Sequence, residues 1–330
     1  MTAHRDRLQP LIERFRALAT PAPEAGFDTS THGQGQHPLH LVIGTMVHGE
    51  ECGTLPGVLA VMEDLVAQRL TVPGRVTFFL GNAEAGLANQ RFLETDLNRE
   101  FSATPSDSHE GRRARQLKPL LDAADVFLDL HQTIQPSAEP FWIFPFQVPG
   151  WQWARAIRGA AVWITRAPDV TFSLAGVCAD EYVRLAGKPG LTLELGEKGF
   201  DHGAEARAEA AVRRAIAVAA AIAEGATLPA LAEAEPEIAF FETVHREPFS
   251  HDALALRPGL VNFQRVARGE ALHAPGTPAL VTPAAGAVVF PKYPPIVDGR
   301  YQQPLPAEIY RIIAPLTAHP LDAYGLRATG

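Results

Sequence analysis

The sequence predicts an α/β fold, with a mostly parallel or mixed sheet flanked by helices and a small β domain after it. Two observations carry this. Over the first two thirds of the chain, short apolar runs rich in β-branched residues alternate with longer stretches of helical spacing. After about residue 230 the alternation stops, and short β-like pieces separated by Pro and Gly take over. The 330 residues therefore divide into a large domain, 1–232, and a β-rich C-terminal domain, 233–330.

The elements follow in order. MTAHRDRLQPLIERFRAL at the start is charged and amphipathic, without the apolar core of a leader peptide. HLVIGTMV (40–47) reads as a buried strand and GTLPGVLAVMEDLVAQRL (53–70) as the helix after it. RVTFFLGN (75–82) is the next strand, RRARQLKPLLDAAD (112–125) a helix, and VFLDLH (126–131) a third strand. FWIFPF (141–146) and LTLELG (191–196) are further strands, with a short helix over ADEYVRLAG (179–187). The alanine-rich stretch 203–225 is a long helix that Gly225 ends. Beyond it, AFFETVHREPF, GLVNFQRVA, PALVTPA and GAVVFPKY are the β pieces.

Composition narrows the function. Hydrophobic residues make up 46% and charged residues 20%, as in a soluble globular protein. A net charge of -8 argues against a nucleic-acid partner. No apolar run approaches the roughly 20 residues that cross a bilayer. Two cysteines, Cys52 and Cys178, give neither a disulfide framework nor a metal knuckle, so a reducing, cytoplasmic setting is expected. Arg112, Arg113, Arg115 and Lys118 read as a solvated helix face, and the four tryptophans as core.

The chemistry gathers at strand ends. The first strand runs straight into His48-Gly49-Glu50-Glu51, the third ends in His131, and LTLELG carries Glu194. In an open α/β sheet the carboxyl ends of strands converge on one site. Two imidazoles and a carboxylate match a catalytic zinc site with a position left for water, and a further free carboxylate suits a general base. Glu50 and Glu51 compete as the carboxylate ligand. Asp129 lies two residues before His131, hence on the same strand face, where it can orient the imidazole from behind. Glu194 interrupts an apolar strand, a costly placement that points to function. A fourth cluster, Arg91 to Phe101, reads RFLETDLNREF and follows the strand end at Asn82.

The stretches GTMVHGEECGTLPGV, GNAEAGLANQRFLETDLNREF, DLHQT and LTLELGEKG, in this order, resemble the succinylglutamate desuccinylase/aspartoacylase family of the zinc carboxypeptidase superfamily. The likeness covers roughly residues 40–200. It implies a zinc-carboxypeptidase-like fold and one Zn2+ per chain, held by His48, Glu51 and His131. It implies Glu194 as general base, Arg91 as the group that stabilises the oxyanion, and Asn98 with Arg99 as the grip on a substrate carboxylate. Arg184 matches a second carboxylate-binding arginine, and Tyr301 a substrate-contacting tyrosine from the C-terminal domain. The family's usual His-Gly-Asn-Glu is His-Gly-Glu-Glu here, and where a tyrosine is expected before Arg184 the chain has Asp180, with Tyr182 nearby. The implied activity is removal of the acyl group from an N-acylated amino acid. The competing readings are a carboxypeptidase acting on small peptides and a non-catalytic relative that binds metal or ligand. A homo-oligomer is compatible with all three.

Overall fold

The computed structural model describes residues 2–20, 27–33, 35–173, 175–297, 300–301 and 305–326. The strands are β1 (Thr29–His32), β2 (His40–Thr45), β3 (Arg75–Leu80), β4 (Val126–Thr133), β5 (Phe141–Ile143), β6 (Val162–Thr165), β7 (Gly190–Glu197), β8 (Ala239–Pro248), β9 (Gln264–Val266), β10 (Gly286–Val289), β11 (Ile296–Val297), β12 (Arg300–Tyr301) and β13 (Glu308–Pro315). The helices are α1 (Thr2–Leu18), α2 (Leu55–Val66), α3 (Ala83–Leu87), α4 (His109–Ala123), α5 (Val148–Ile157), α6 (Ala179–Leu185), α7 (His202–Ala223), α8 (Leu228–Glu233) and α9 (Pro320–Ala323).

One sheet runs through the molecule in the order β1-β3-β2-β4-β7-β5-β6-β8-β13-β10-β9. Strands β3, β2, β4 and β7 are mutually parallel, so β2, β4 and β7 end at the same edge. Strand β5 runs against β7, while β6 pairs with β5 and β8 in parallel. From β8 onwards the ladder is antiparallel. The strands β2 and β4 are buried along their whole length, which is why they are mainly apolar, with Asp129, His131 and Gln132 of β4 among the polar exceptions. Helices α1, α2, α5 and α7 bury one face in the cluster containing Leu8, Phe15, Val58, Trp153 and Ile216. Helix α4 packs on the other side with Leu117 and Leu121 against Phe127 and Phe79. Local chemistry sets the helix starts: Asp201 accepts from the N–H groups of Gly203 and Ala204 at α7, and Ser108 from Gly111 at α4.

The structure departs from expectation in places. PALVTPA forms no strand; Val281 makes an isolated bridge to Ala271 instead. GLVNFQRVA keeps only Gln264–Val266. Helix α5 and strands β1, β6 and β13 were not expected. Arg113, read as solvated, is buried: its guanidinium donates to the carbonyls of Gly81 and Leu80 and stacks on Phe27.

Candidate metal and substrate site

His48 follows β2 after Met46, a buried non-glycine residue at φ +55. That left-handed turn swings the chain out of the strand, and Asn82 N–H, just past β3, bonds Met46 O to hold it. Gly49 has to be glycine: a Cβ there would stand 2.2 Å from the backbone N of Gly86. The register of β4 against β7 places His131 beside Glu194.

His48, Glu51 and His131 are all buried, and one ligand atom from each lies within 4.8 Å of the others. Both oxygens of Glu51 face imidazoles, with His48 Nδ1 at 2.7 Å and His131 Nδ1 at 2.9 Å. Each far ring nitrogen faces an aspartate. His48 Nε2 is 3.1 Å from Asp96 Oδ1, and His131 Nε2 is 2.9 Å from Asp129 Oδ2, though the latter contact is out of line for a hydrogen bond. Carboxylates behind the far nitrogens are the usual company of metal-binding histidines, and both Nδ1 atoms face the space shared with Glu51. The donor set of two imidazoles and one carboxylate fits zinc. Glu50 is turned away and pairs with Lys198.

The charges reinforce one another. Burial by itself would raise the Glu51 carboxyl, but His48 and His131 outweigh it and hold it well below the usual range. Burial likewise opposes the charged form of His131, yet Asp129 and Glu51 keep it well above its ordinary value. Glu194 goes the other way. Its Oε2 is sealed from solvent without a partner, and burial together with the Glu51 charge pushes it up to about 7. A carboxyl poised there can take and return a proton near neutral pH.

Arg91 reaches the triad from the loop after α3. Its guanidinium lies 3.3 Å from Glu51 Oε1 and 2.7 Å from His48 Nε2, with Asp96 at 3.5 Å. Asn98 spends its Oδ1 on the N–H of Ala179, at the start of α6. Arg99 donates to Asn98 O and Cys178 Sγ and lies over the ring of Phe172. Arg184 is buried against Asp180 at 3.4 Å, and its Nε has no partner. Tyr301 packs edge-on to Phe249 in the C-terminal apolar cluster.

Several residues here carried no role in the sequence reading. Asp96 is one; only its place between Arg91 and Asn98 signals it. The others are cations. Arg166 and Arg311 flank the same Phe172 ring as Arg99, at 5.5 and 4.5 Å. Lys292 lies over Phe290, whose ring also faces Arg311. Burial and then the nearby Arg91 charge lower Lys292 to about 8, against the pull of Glu308 and Glu194. Nothing in spacing or periodicity marks these three, because β6, β10 and β13 bring them together only in the fold.

Comparison with known proteins gives a consistent picture. Residues 39–223 match the family model described as succinylglutamate desuccinylase/aspartoacylase catalytic domain. The succinylglutamate desuccinylase of Pseudomonas paraeruginosa is 30% identical over 194 residues, 53% of this chain and 55% of that one. That of Shewanella frigidimarina is 32% identical over 144 residues, covering 39% and 41%. The chain thus spans about half the length of the curated relatives it matches. Among solved structures, the succinylglutamate desuccinylase of Chromobacterium violaceum superposes with a TM-score of 0.64 at 19% identity, over 88% of this chain and 89% of that one. Murine aminoacylase 3 gives 0.61 at 19%, over 84% and 95%.

Proposed function

Because this chain belongs to the succinylglutamate desuccinylase/aspartoacylase family and shares its zinc-carboxypeptidase-like fold, we propose that it is a zinc-dependent hydrolase that removes the acyl group from an N-acylated amino acid. The observation that supports this most directly is the buried His48, Glu51 and His131 triad with Glu194, whose Oε2 has no partner, in register beside His131. His48, Glu51 and His131 would hold the ion. When bound, zinc supplies Lewis-acid polarisation of the scissile carbonyl and lowers the pKa of a water towards neutrality.

The chain's own groups do the rest. Glu194 accepts the proton of the attacking water at Oε2 and hands it to the departing amine. Arg91 donates to the developing oxyanion. Arg99, with the free Nδ2 of Asn98, grips the amino-acid carboxylate and so lowers the entropic part of the barrier. Arg184 shapes the same wall from α6. Residues 233–330 act as a β-rich cap that delivers Lys292 and Arg311, and Tyr301 contributes from there to substrate contact. Arg311 is already paired with Glu308, but Arg99 and Arg166 beside the same phenyl ring make no ion pair among the described residues, and this uncompensated positive charge favours a substrate with more than one carboxylate.

Metal analysis of the purified protein, coupled to a deacylation screen across N-succinyl and N-acetyl amino acids, tests the reading. We expect one zinc per chain and turnover that a chelator abolishes and added zinc restores. Protein that holds no divalent metal, or zinc-loaded protein inert across the whole screen, would overturn it.

A further inference from the structure

Glu110 has no part in the chemistry above, yet its carboxylate is wholly buried and fully engaged. It sits in the first turn of α4. Its Oε1 accepts from the backbone N–H of Leu93 at 2.6 Å and from Asn82 Nδ2 at 2.9 Å. Its Oε2 accepts from the N–H groups of Glu94 at 3.1 Å and Thr95 at 3.0 Å. Three successive backbone donors therefore converge on one side chain, an arrangement suited to a negative charge. Burial would raise this carboxyl, but the donors outweigh it and hold it below its ordinary value.

What the carboxylate holds matters for the site. Leu93 follows Arg91 by two residues, and Thr95 immediately precedes Asp96. The tie is reciprocal, because Glu94 Oε2 accepts from His109 N–H and Thr95 Oγ1 meets Ser108 Oγ. Asn82, the fourth donor, uses its own N–H to fix Met46, two residues before His48. One buried charge thus joins the backbone that carries Arg91 and Asp96 to the turn that carries His48.

We propose that Glu110 is a positioning residue for the reaction centre: its carboxylate sets where Arg91 and Asp96 stand relative to the triad. The proposal rests on the reading of that triad as the reaction centre. Gln at this position offers one acceptor oxygen and turns an NH2 group towards N–H donors, so two of the four bonds fail. Asp keeps the charge on a shorter stem.

The test compares Glu110→Gln and Glu110→Asp with the parent protein. Zinc affinity is read by chelator competition, the visible absorption is recorded after cobalt loading, and deacylation kcat and KM are measured below the melting range. For Glu110→Gln we expect zinc affinity to fall about tenfold as Asp96 loses its hold on His48. We also expect an altered cobalt spectrum and a kcat reduced ten- to a hundredfold with KM little changed. Asp should restore part of each. Combined with Arg91→Lys, the loss in kcat should be smaller than the product of the two single losses. If Glu110→Gln does not fold, Glu110→Asp carries the same readouts. Parental zinc affinity and cobalt spectrum in a folded variant, or losses that multiply with Arg91→Lys, would overturn the proposal. If the parent deacylates nothing, the functional reading fails, while the metal readouts still decide the role of Glu110.

Discussion

Replacing Glu194 by Gln should stop turnover and, at the same time, stabilise the metal-free protein at neutral pH and above. The carboxyl oxygen Oε2 has no partner, and burial with the neighbouring Glu51 charge moves this group from 4.5 to about 7. A rise of that size corresponds to about 3 kcal/mol held against the ionised form. The sign follows from linkage. The folded value lies above the unfolded one, so the contribution is fully present below pH 4.5 and is lost as pH climbs through 7. The parent protein loses it over that window; the Gln variant has no proton to lose. Urea unfolding of both chelator-treated proteins should therefore give a stability gap that opens between those two values and levels off above them. After zinc is restored, the variant should keep its metal, because Glu194 lies outside the triad. Its kcat should fall by about 10²–10⁴. Stability curves that stay parallel across the window, or a variant turning over within about tenfold of the parent, would refute the placement of the base.

Asp96→Asn should weaken zinc binding by about 10–100-fold, because His48 loses the carboxylate that orients its ring; chelator titration checks this, and unchanged affinity would remove Asp96 from the metal site. Lys292→Met should raise KM for an N-succinyl substrate by about tenfold, the usual scale for one charged hydrogen bond, while an N-acetyl counterpart changes less. Equal effects on both would show that Lys292 does not pair with the carboxylate of the succinyl group. Gly49→Ala should destabilise by about 2 kcal/mol or more, since its methyl would meet backbone that cannot retreat. A parental melting temperature would show that the loop gives way.

The sequence made β2, β3, β4 and β7 legible because each is a local signal, a mostly apolar, β-branched run bounded by polar or turn residues. It made the triad legible because parallel neighbours end together. The strand ends alone offered His48, His131 and one of Glu50 or Glu51, the family resemblance chose Glu51, and the structure brings His48, Glu51 and His131 within reach of one another. The contest between Glu50 and Glu51 could not be resolved from residue types. It depends on a loop turn that sends Glu50 to Lys198. Helix α5 was hidden by VPGWQWARAI, where Pro, Gly and two Trp obscure the helical period; packing on α7 and α8 forms it. Strand β13 was missed although EIYRIIAP is apolar, because its partners β8 and β10 lie far along the chain and no turn announces them. Arg166 and Arg311, which join Arg99 around Phe172, were invisible for the same reason. Their meeting belongs to topology, and topology has no local residue signature.

The continuous ladder from β6 into β8 has a practical consequence. A shortened protein ending near residue 232 would strip β8 from β6 and leave the backbone groups of Val162–Thr165 bare along one side. It would also uncover Phe141, Ile143 and Ile164, which now share an apolar cluster with Ala287, Val289 and Ile313. A naked edge of Val-Trp-Ile-Thr is a template for pairing with another molecule. Trimming the chain at that point is thus a recipe for aggregates, and crystallographers or engineers who want a minimal version should graft a polar strand onto that edge instead.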